Sequence, residues 1–90
     1  MVTVHLLISG KVQGVFFRDS SGRVAQQLHL TGWIKNTGDQ KVEAMISGEK
    51  KEVQAFITWC QSGPERAEVQ EVIVSKQEKT PFEKFEIKRR

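Results

Sequence analysis

The chain has 90 residues, of which 38% are hydrophobic and 28% charged, and a net charge of +3. That balance fits one globular domain over residues 1–90 and excludes a disordered chain. The one strong apolar run near the N-terminus, Val4 to Ile8, is too short to span a membrane and lacks the flanks of a signal peptide. A domain this small buries only about 60–65% of its extended-chain surface, so every element must feed one core. Cys60 is the only cysteine, which rules out an internal disulfide and points to a reducing, cytoplasmic setting. Nine of the 14 basic residues follow position 45, but so do eight of the 11 acidic ones. The second half is therefore a mixed, solvated surface rather than a nucleic-acid stripe, and the small positive excess suits small anionic ligands.

In chain order, a first strand is predicted over Thr3 to Ser9, with Val4, Leu6 and Ile8 on one face. A helix follows from Ser20 or Ser21 to Leu28, carrying Val24, Ala25 and Leu28 on its apolar side. Asp19, Ser20 and Ser21 are the candidates for its N-cap. Thr31 to Asn36 reads as a second strand that turns at Thr37-Gly38-Asp39-Gln40 into a third, where Val42, Ala44 and Ile46 alternate with Glu43, Met45 and Ser47. Gly38 is the permissive position expected for that hairpin. From Glu49 to Gln61, Val53, Phe56, Ile57 and Cys60 fall at i, i+3, i+4 and i+7, a clear amphipathic helix that Ser62-Gly63-Pro64 stops. Val72 and Val74 mark a fourth strand, with Ile73 on its reverse face, and Glu78 to Pro81 a turn; Phe85 and Ile87 mark a last short strand. The order βαββαβ with one terminal extra strand indicates an α+β, ferredoxin-like sandwich: a mostly antiparallel sheet with both helices on one face.

Between the first strand and the first helix lies Gly10-Lys11-Val12-Gln13-Gly14-Val15-Phe16-Phe17-Arg18. A loop entering a helix N-terminus presents backbone N–H groups that no helical carbonyl satisfies. Glycine permits positive φ, so successive N–H groups can face one concavity and hold an anion, with the helix dipole assisting. Arg18 at its edge has the planar fork that grips two phosphate oxygens. The segment is neither a Walker loop nor a GxGxxG fingerprint, and its spacing fits an ordinary strand-to-helix turn equally well. Asn36 is similarly double: a turn asparagine, or an amide that orients water by donor and acceptor bonds. Cys60 lies on an apolar stripe with no base nearby, which reads as a structural thiol. His5 and His29 are far apart in sequence and lack companions with metal-ligand spacing. Trp33 and Trp59 read as core or flank aromatics, and Lys88-Arg89-Arg90 as a solvated tail.

Taken together, these residues resemble the acylphosphatase family. The resemblance rests on Gly10 to Arg18, on Ala25, Leu28 and Leu30, on Thr31-Gly32-Trp33-Ile34-Lys35-Asn36, and on Val42-Glu43-Ala44, Gly48, Trp59-Cys60, Gly63-Pro64 and Phe85-Glu86-Ile87. It spans nearly the whole chain, and a Gly-Trp-x-x-Asn at the right distance from Val-Gln-Gly-Val-x-Phe-Arg is specific. The resemblance implies hydrolysis of carboxyl–phosphate anhydrides to a carboxylic acid and phosphate with no metal ion or organic cofactor; the chain is expected to act as a monomer. It further implies that Arg18 and the backbone N–H groups of Gln13, Gly14, Val15, Phe16, Phe17 and Arg18 bind the phosphoryl group, while Asn36 orients the attacking water. Partners are then a small-molecule acyl phosphate and inorganic phosphate or a similar anion, with no nucleic acid and no membrane. Since an amide is a poor proton acceptor, the substrate's own phosphate is expected to take the proton.

Three positions depart from the family pattern. His29 stands where a glycine usually ends the first helix, in a place that wants a left-handed residue. Gln40 replaces the glycine of the hairpin turn, with Gly38 two residues earlier as the expected substitute. Asp19 puts a negative charge directly after Arg18, where it can weaken the anion site or bind the guanidinium. The alternative function is a non-catalytic RNA-binding or regulatory module of the same topology. Against RNA binding, the third strand, Val42-Glu43-Ala44-Met45-Ile46, offers no aromatic residue on which a base could stack.

Overall fold

The computed structural model describes residues 1–88, so Arg89 and Arg90 of the expected solvated tail lie outside the described residues. The elements are β1 (Val2–Lys11), α1 (Phe17–Gln27), β2 (Thr31–Asn36), β3 (Val42–Gly48), α2 (Lys50–Ser62), β4 (Glu68–Gln77) and β5 (Phe85–Ile87). One five-stranded sheet has the order β4-β1-β3-β2-β5, and only the β2–β5 pair is parallel. Alternation along β1 sets the buried face. Val4, Leu6 and Ile8 pair with Ile46, Ala44 and Val42 of β3, and Ile34 of β2 also faces Ala44; all are buried. The helices cover this face, α1 over β2 and β5 and α2 over β1, β3 and β4, and Ala25, Val53, Phe56, Ile57 and Cys60 complete one core with the strands. This is the ferredoxin-like α+β sandwich expected from the element order.

Helix α2 carries the apolar stripe read from the sequence, shifted by one residue at each end, and stops at Gly63 with φ 67°. Strand β4 is longer than expected and lies at the sheet edge. Val72 packs against the core, and Ile73 is exposed on the open face, because an edge strand is covered on one side only. Val74 shares the face of Val72, opposite Leu6, yet stays exposed in a groove that it lines with Val53 and Ile57 of α2.

Helix α1 begins at Phe17, three or four residues earlier than expected, and this corrects the capping assignment. Phe16 occupies the N-cap position in a left-handed conformation (φ 62°, ψ 27°) with no side-chain cap. Asp19, Ser20 and Ser21 are inside the helix, where the buried Ser21 hydroxyl donates back to the Arg18 carbonyl (2.8 Å). The cause is the tight left-handed turn through Gly14 and Phe16, which brings the chain into helical geometry at Phe17. At the other end the amide of Leu30 donates to Ala25 (2.9 Å) and that of His29 to Gln26 (3.1 Å), a Schellman motif with His29 as its left-handed residue (φ 56°).

Candidate active site

The segment after β1 holds two positive φ values, 75° at Gly14 and 62° at Phe16, on either side of Val15. Alternating handedness of this kind turns consecutive backbone N–H groups toward one side and makes an anion-receiving concavity. It ends at the N-terminus of α1, whose first-turn amides lack helical acceptors and whose dipole is positive there. The two phenylalanines separate. Phe17 is 2% exposed and Phe16 69%, so of the two rings only that of Phe17 packs into the core. The left-handed backbone at Phe16 accounts for this, since it swings one ring out as the next goes in. Phe17 meets Trp59 edge-on with centroids 5.4 Å apart. A Cβ on Gly63 would come within 2.7 Å of the Phe17 ring, so the residue that ends α2 must lack one.

A hollow of about 250 Å³ opens here, lined by Val12, Gly14, Phe16, Phe17, Arg18, Asp19 and Asn36. Of the loop residues singled out in the sequence, Gly14, Phe16, Phe17 and Arg18 form its wall. Val15 is buried in the core, and the side chain of Gln13 turns to the β2–β3 loop. The Arg18 guanidinium donates to the Lys88 carbonyl (3.1 Å), and the Lys88 amide donates to Ile34 of β2 (2.8 Å). Arg18 is thereby tied, through the end of the chain, to the strand whose last residue is Asn36. Asn36 pairs with Val42 at the neck of the hairpin. Within the loop beyond it, Gln40 itself takes positive φ (71°) and Gly38 does not, so the special turn position stays in place despite the substitution. The hairpin closure dictates this: the Thr37 amide donates to Lys41 (2.9 Å) and the Lys41 amide to the Thr37 hydroxyl (3.0 Å), which fixes where the chain must reverse.

Asp19 lines the hollow beside Arg18 and also a neighbouring groove with Gly22, Arg23, Gln26, Phe85 and Ile87. Cys60 is fully buried, and burial pushes its thiol up, away from the thiolate form a nucleophile needs. His5 lies on the open face of the sheet, its Nε2 2.7 Å from Glu43. Trp33 has the ammonium groups of Lys35 and Lys88 at 5.3 and 4.9 Å from its ring centre.

Fold and hollow define a class: a ferredoxin-like domain whose loop and helix N-terminus can receive a tetrahedral anion beside an arginine and an amide. Comparison with known proteins narrows it. The acylphosphatase family model matches residues 4–87. An acylphosphatase of Marinobacter nauticus is 52% identical over 68 residues, covering 76% of this chain and 74% of that protein. An acylphosphatase of Trichormus variabilis is 43% identical over 89 residues, covering 99% of this chain and 88% of the other. The structure of an acylphosphatase from Coxiella burnetii superimposes with a TM-score of 0.93 at 36% identity, covering 97% of this chain and 92% of that one. The chain belongs to the acylphosphatase family. Family membership does not favour the RNA-binding or regulatory alternative. No described helix is long and apolar enough to cross a membrane.

Proposed function

We infer that this chain hydrolyses the carboxyl–phosphate bond of small-molecule acyl phosphates, giving a carboxylate and inorganic phosphate, and that the hollow at the N-terminus of α1 is where it does so. The observation that carries the site assignment is that Arg18 and Asn36, from separate elements, line one hollow. In the proposed scheme the phosphoryl group sits in the concavity, held by backbone N–H groups from Gln13 to Arg18 and by the Arg18 fork. The positive end of α1 adds to the attraction for the anion. The Asn36 carboxamide accepts from and donates to a water molecule and holds it in line with the scissile bond.

The oxygen of that water forms a bond to phosphorus as the bond to the acyl oxygen breaks, and the bonding pair leaves with the carboxylate. A carboxylate with a pKa near 4 is a good leaving group, so no strong general acid is required. The proton lost by the water goes to a phosphoryl oxygen. Catalysis then consists of positioning and charge stabilisation, which a rigid loop and a tied arginine supply. No metal ion or organic cofactor enters the scheme.

The proposal includes a single domain over residues 1–90, supported by the one continuous core, and a monomer that takes no nucleic acid. A cytoplasmic setting is supported by the buried free thiol of Cys60, the chain's only cysteine. The test is hydrolysis of acetyl phosphate in excess chelator, followed in water carrying heavy oxygen. The expected outcome is chelator-insensitive turnover, competitive inhibition by inorganic phosphate, and label in the phosphate product. Label in the carboxylate would place the attack on carbon and overturn the water-holding role of Asn36.

A further inference from the structure

Gln13 does something that its backbone does not account for. Its side-chain Nε2 lies 3.0 Å from the carbonyl oxygen of Thr37 and 2.8 Å from that of Lys41. Both neighbours are acceptors, so the orientation of the amide is fixed by chemistry: the NH2 group must face them, and each of its hydrogens is used. The two carbonyls are not arbitrary points on the hairpin. Thr37 directly follows Asn36, and Lys41 directly precedes Val42, the cross-strand partner of Asn36. One side chain from the anion loop therefore spans the neck of the β2–β3 hairpin, next to Asn36 on one strand and next to its partner Val42 on the other.

The hairpin needs such a tie. Its loop contains a non-glycine residue, Gln40, in a left-handed conformation, which costs about 1 kcal/mol and persists only where surrounding bonds hold it. The Thr37 hydroxyl donates to Asp39 and contacts the Lys41 carbonyl (3.2 Å), so the loop is braced internally. Among the described side chains of the anion loop, only Gln13 bonds to this hairpin.

We propose that Gln13 is a positioning residue: its side-chain amide clasps the hairpin neck and sets Asn36 at a fixed place relative to the anion loop. The inference rests on the roles of Arg18 and Asn36 given above. It makes Gln13 bifunctional, with the backbone N–H directed to phosphate and the side chain to the water-holding strand. Because the clasp acts on water and not on anion binding, its loss separates two quantities that a merely structural role would move together. A displacement of about 1 Å costs up to about a hundredfold in rate when it falls on a positioned reactant.

The test is Gln13→Met, which keeps the length of the side chain and removes both donors, made in the wild-type chain and in Asn36→Ala. With acetyl phosphate as substrate, kcat is expected to fall about ten- to a hundredfold in the wild-type background. The inhibition constant of inorganic phosphate should stay within about twofold, because Arg18 and the loop amides remain. In Asn36→Ala the same substitution should change kcat by less than about twofold, since the residue it positions is gone. In parallel, the side-chain amide signal of Asn36 in a nitrogen-resolved NMR spectrum should shift or broaden in Gln13→Met while the Arg18 guanidinium signal holds; this readout decides where turnover in Asn36→Ala is too low to measure. Wild-type kcat in Gln13→Met, equal losses in both backgrounds, or phosphate inhibition weakened in step with kcat would each overturn the proposal. If Asn36→Ala itself turned over normally, the failure would belong to the water-holding reading and not to the clasp.

Discussion

The ring of Phe17, a residue that lines the hollow with Arg18 and Asn36, meets that of Trp59 edge-on, at 60° and 5.4 Å between centroids. The contact joins the first turn of α1 to the last turns of α2 and fixes where the helix N-terminus points. Phe16, one residue earlier, has no comparable burial. Phe17→Ala is therefore expected to cost about 3–5 kcal/mol, a large share of the roughly 5–15 kcal/mol of a typical domain. Phe16→Ala should change stability by no more than about 0.5 kcal/mol. Urea unfolding of the two variants checks this, and equal losses would contradict the division between anchor and rim.

His29 and Gln40 are exposed and both hold left-handed backbone. Glycine adopts that conformation without strain but loses more entropy on folding, so His29→Gly and Gln40→Gly are each expected to stabilise by about 0.5–1 kcal/mol. A rise in the urea midpoint with an unchanged slope is the signature. Hydrolysis by both variants should match that of the parent, because neither side chain lines the hollow.

How much of this was legible in the sequence follows from where the information lies. The faces of β1, β2 and β3 and the stripe of α2 are written in alternation and 3.6-residue periodicity, because burial acts on each position separately. The start of α1 is not. Ser20 and Ser21 carry the local signature of a cap, but the left-handed pair Gly14 and Phe16 settles the helix start from outside the helix. Gly38 is the natural choice for the hairpin's special position, yet the Thr37–Lys41 bonds decide that Gln40 takes it. Arg18 and Asn36 were recognisable as a pair only through the family pattern. The clasp of Gln13 had no sequence signal at all, since its partners are main-chain carbonyls that every residue possesses.

Asp19 places a carboxyl group in the wall of the hollow and in the first turn of α1. Its charge opposes an incoming phosphate and favours the helix dipole, so the two effects of removing it have opposite signs. Asp19→Asn is expected to tighten inhibition by inorganic phosphate a few-fold, more at low salt than at high. The same change should cost about 0.3–1 kcal/mol of stability. Phosphate titrations at two ionic strengths separate the terms, and weaker phosphate binding in Asp19→Asn would show that the carboxyl group supports the site.

Burial raises the Cys60 thiol above its ordinary value, so the folded chain keeps it neutral while the unfolded chain ionises it as pH rises past about 8.5. Cys60 therefore contributes a loss of stability on the alkaline side, because there the unfolded state binds fewer protons. At neutral pH a thiol reagent should react about a hundredfold or more slowly with the folded protein than with the urea-unfolded one. Rapid modification of folded protein with loss of hydrolysis would bring Cys60 into the chemistry.

The division of labour in the hollow is tested most directly by comparing Arg18→Ala and Asn36→Ala in one assay, with acetyl phosphate as substrate and inorganic phosphate as inhibitor. Both are expected to lose about a hundredfold or more in kcat/KM. Phosphate inhibition should weaken at least about tenfold in Arg18→Ala, which loses charge-assisted bonds to the anion, and change less than about twofold in Asn36→Ala. Wild-type turnover in folded Arg18→Ala, or phosphate inhibition lost equally in both variants, would contradict the assignment of anion binding to one residue and water positioning to the other.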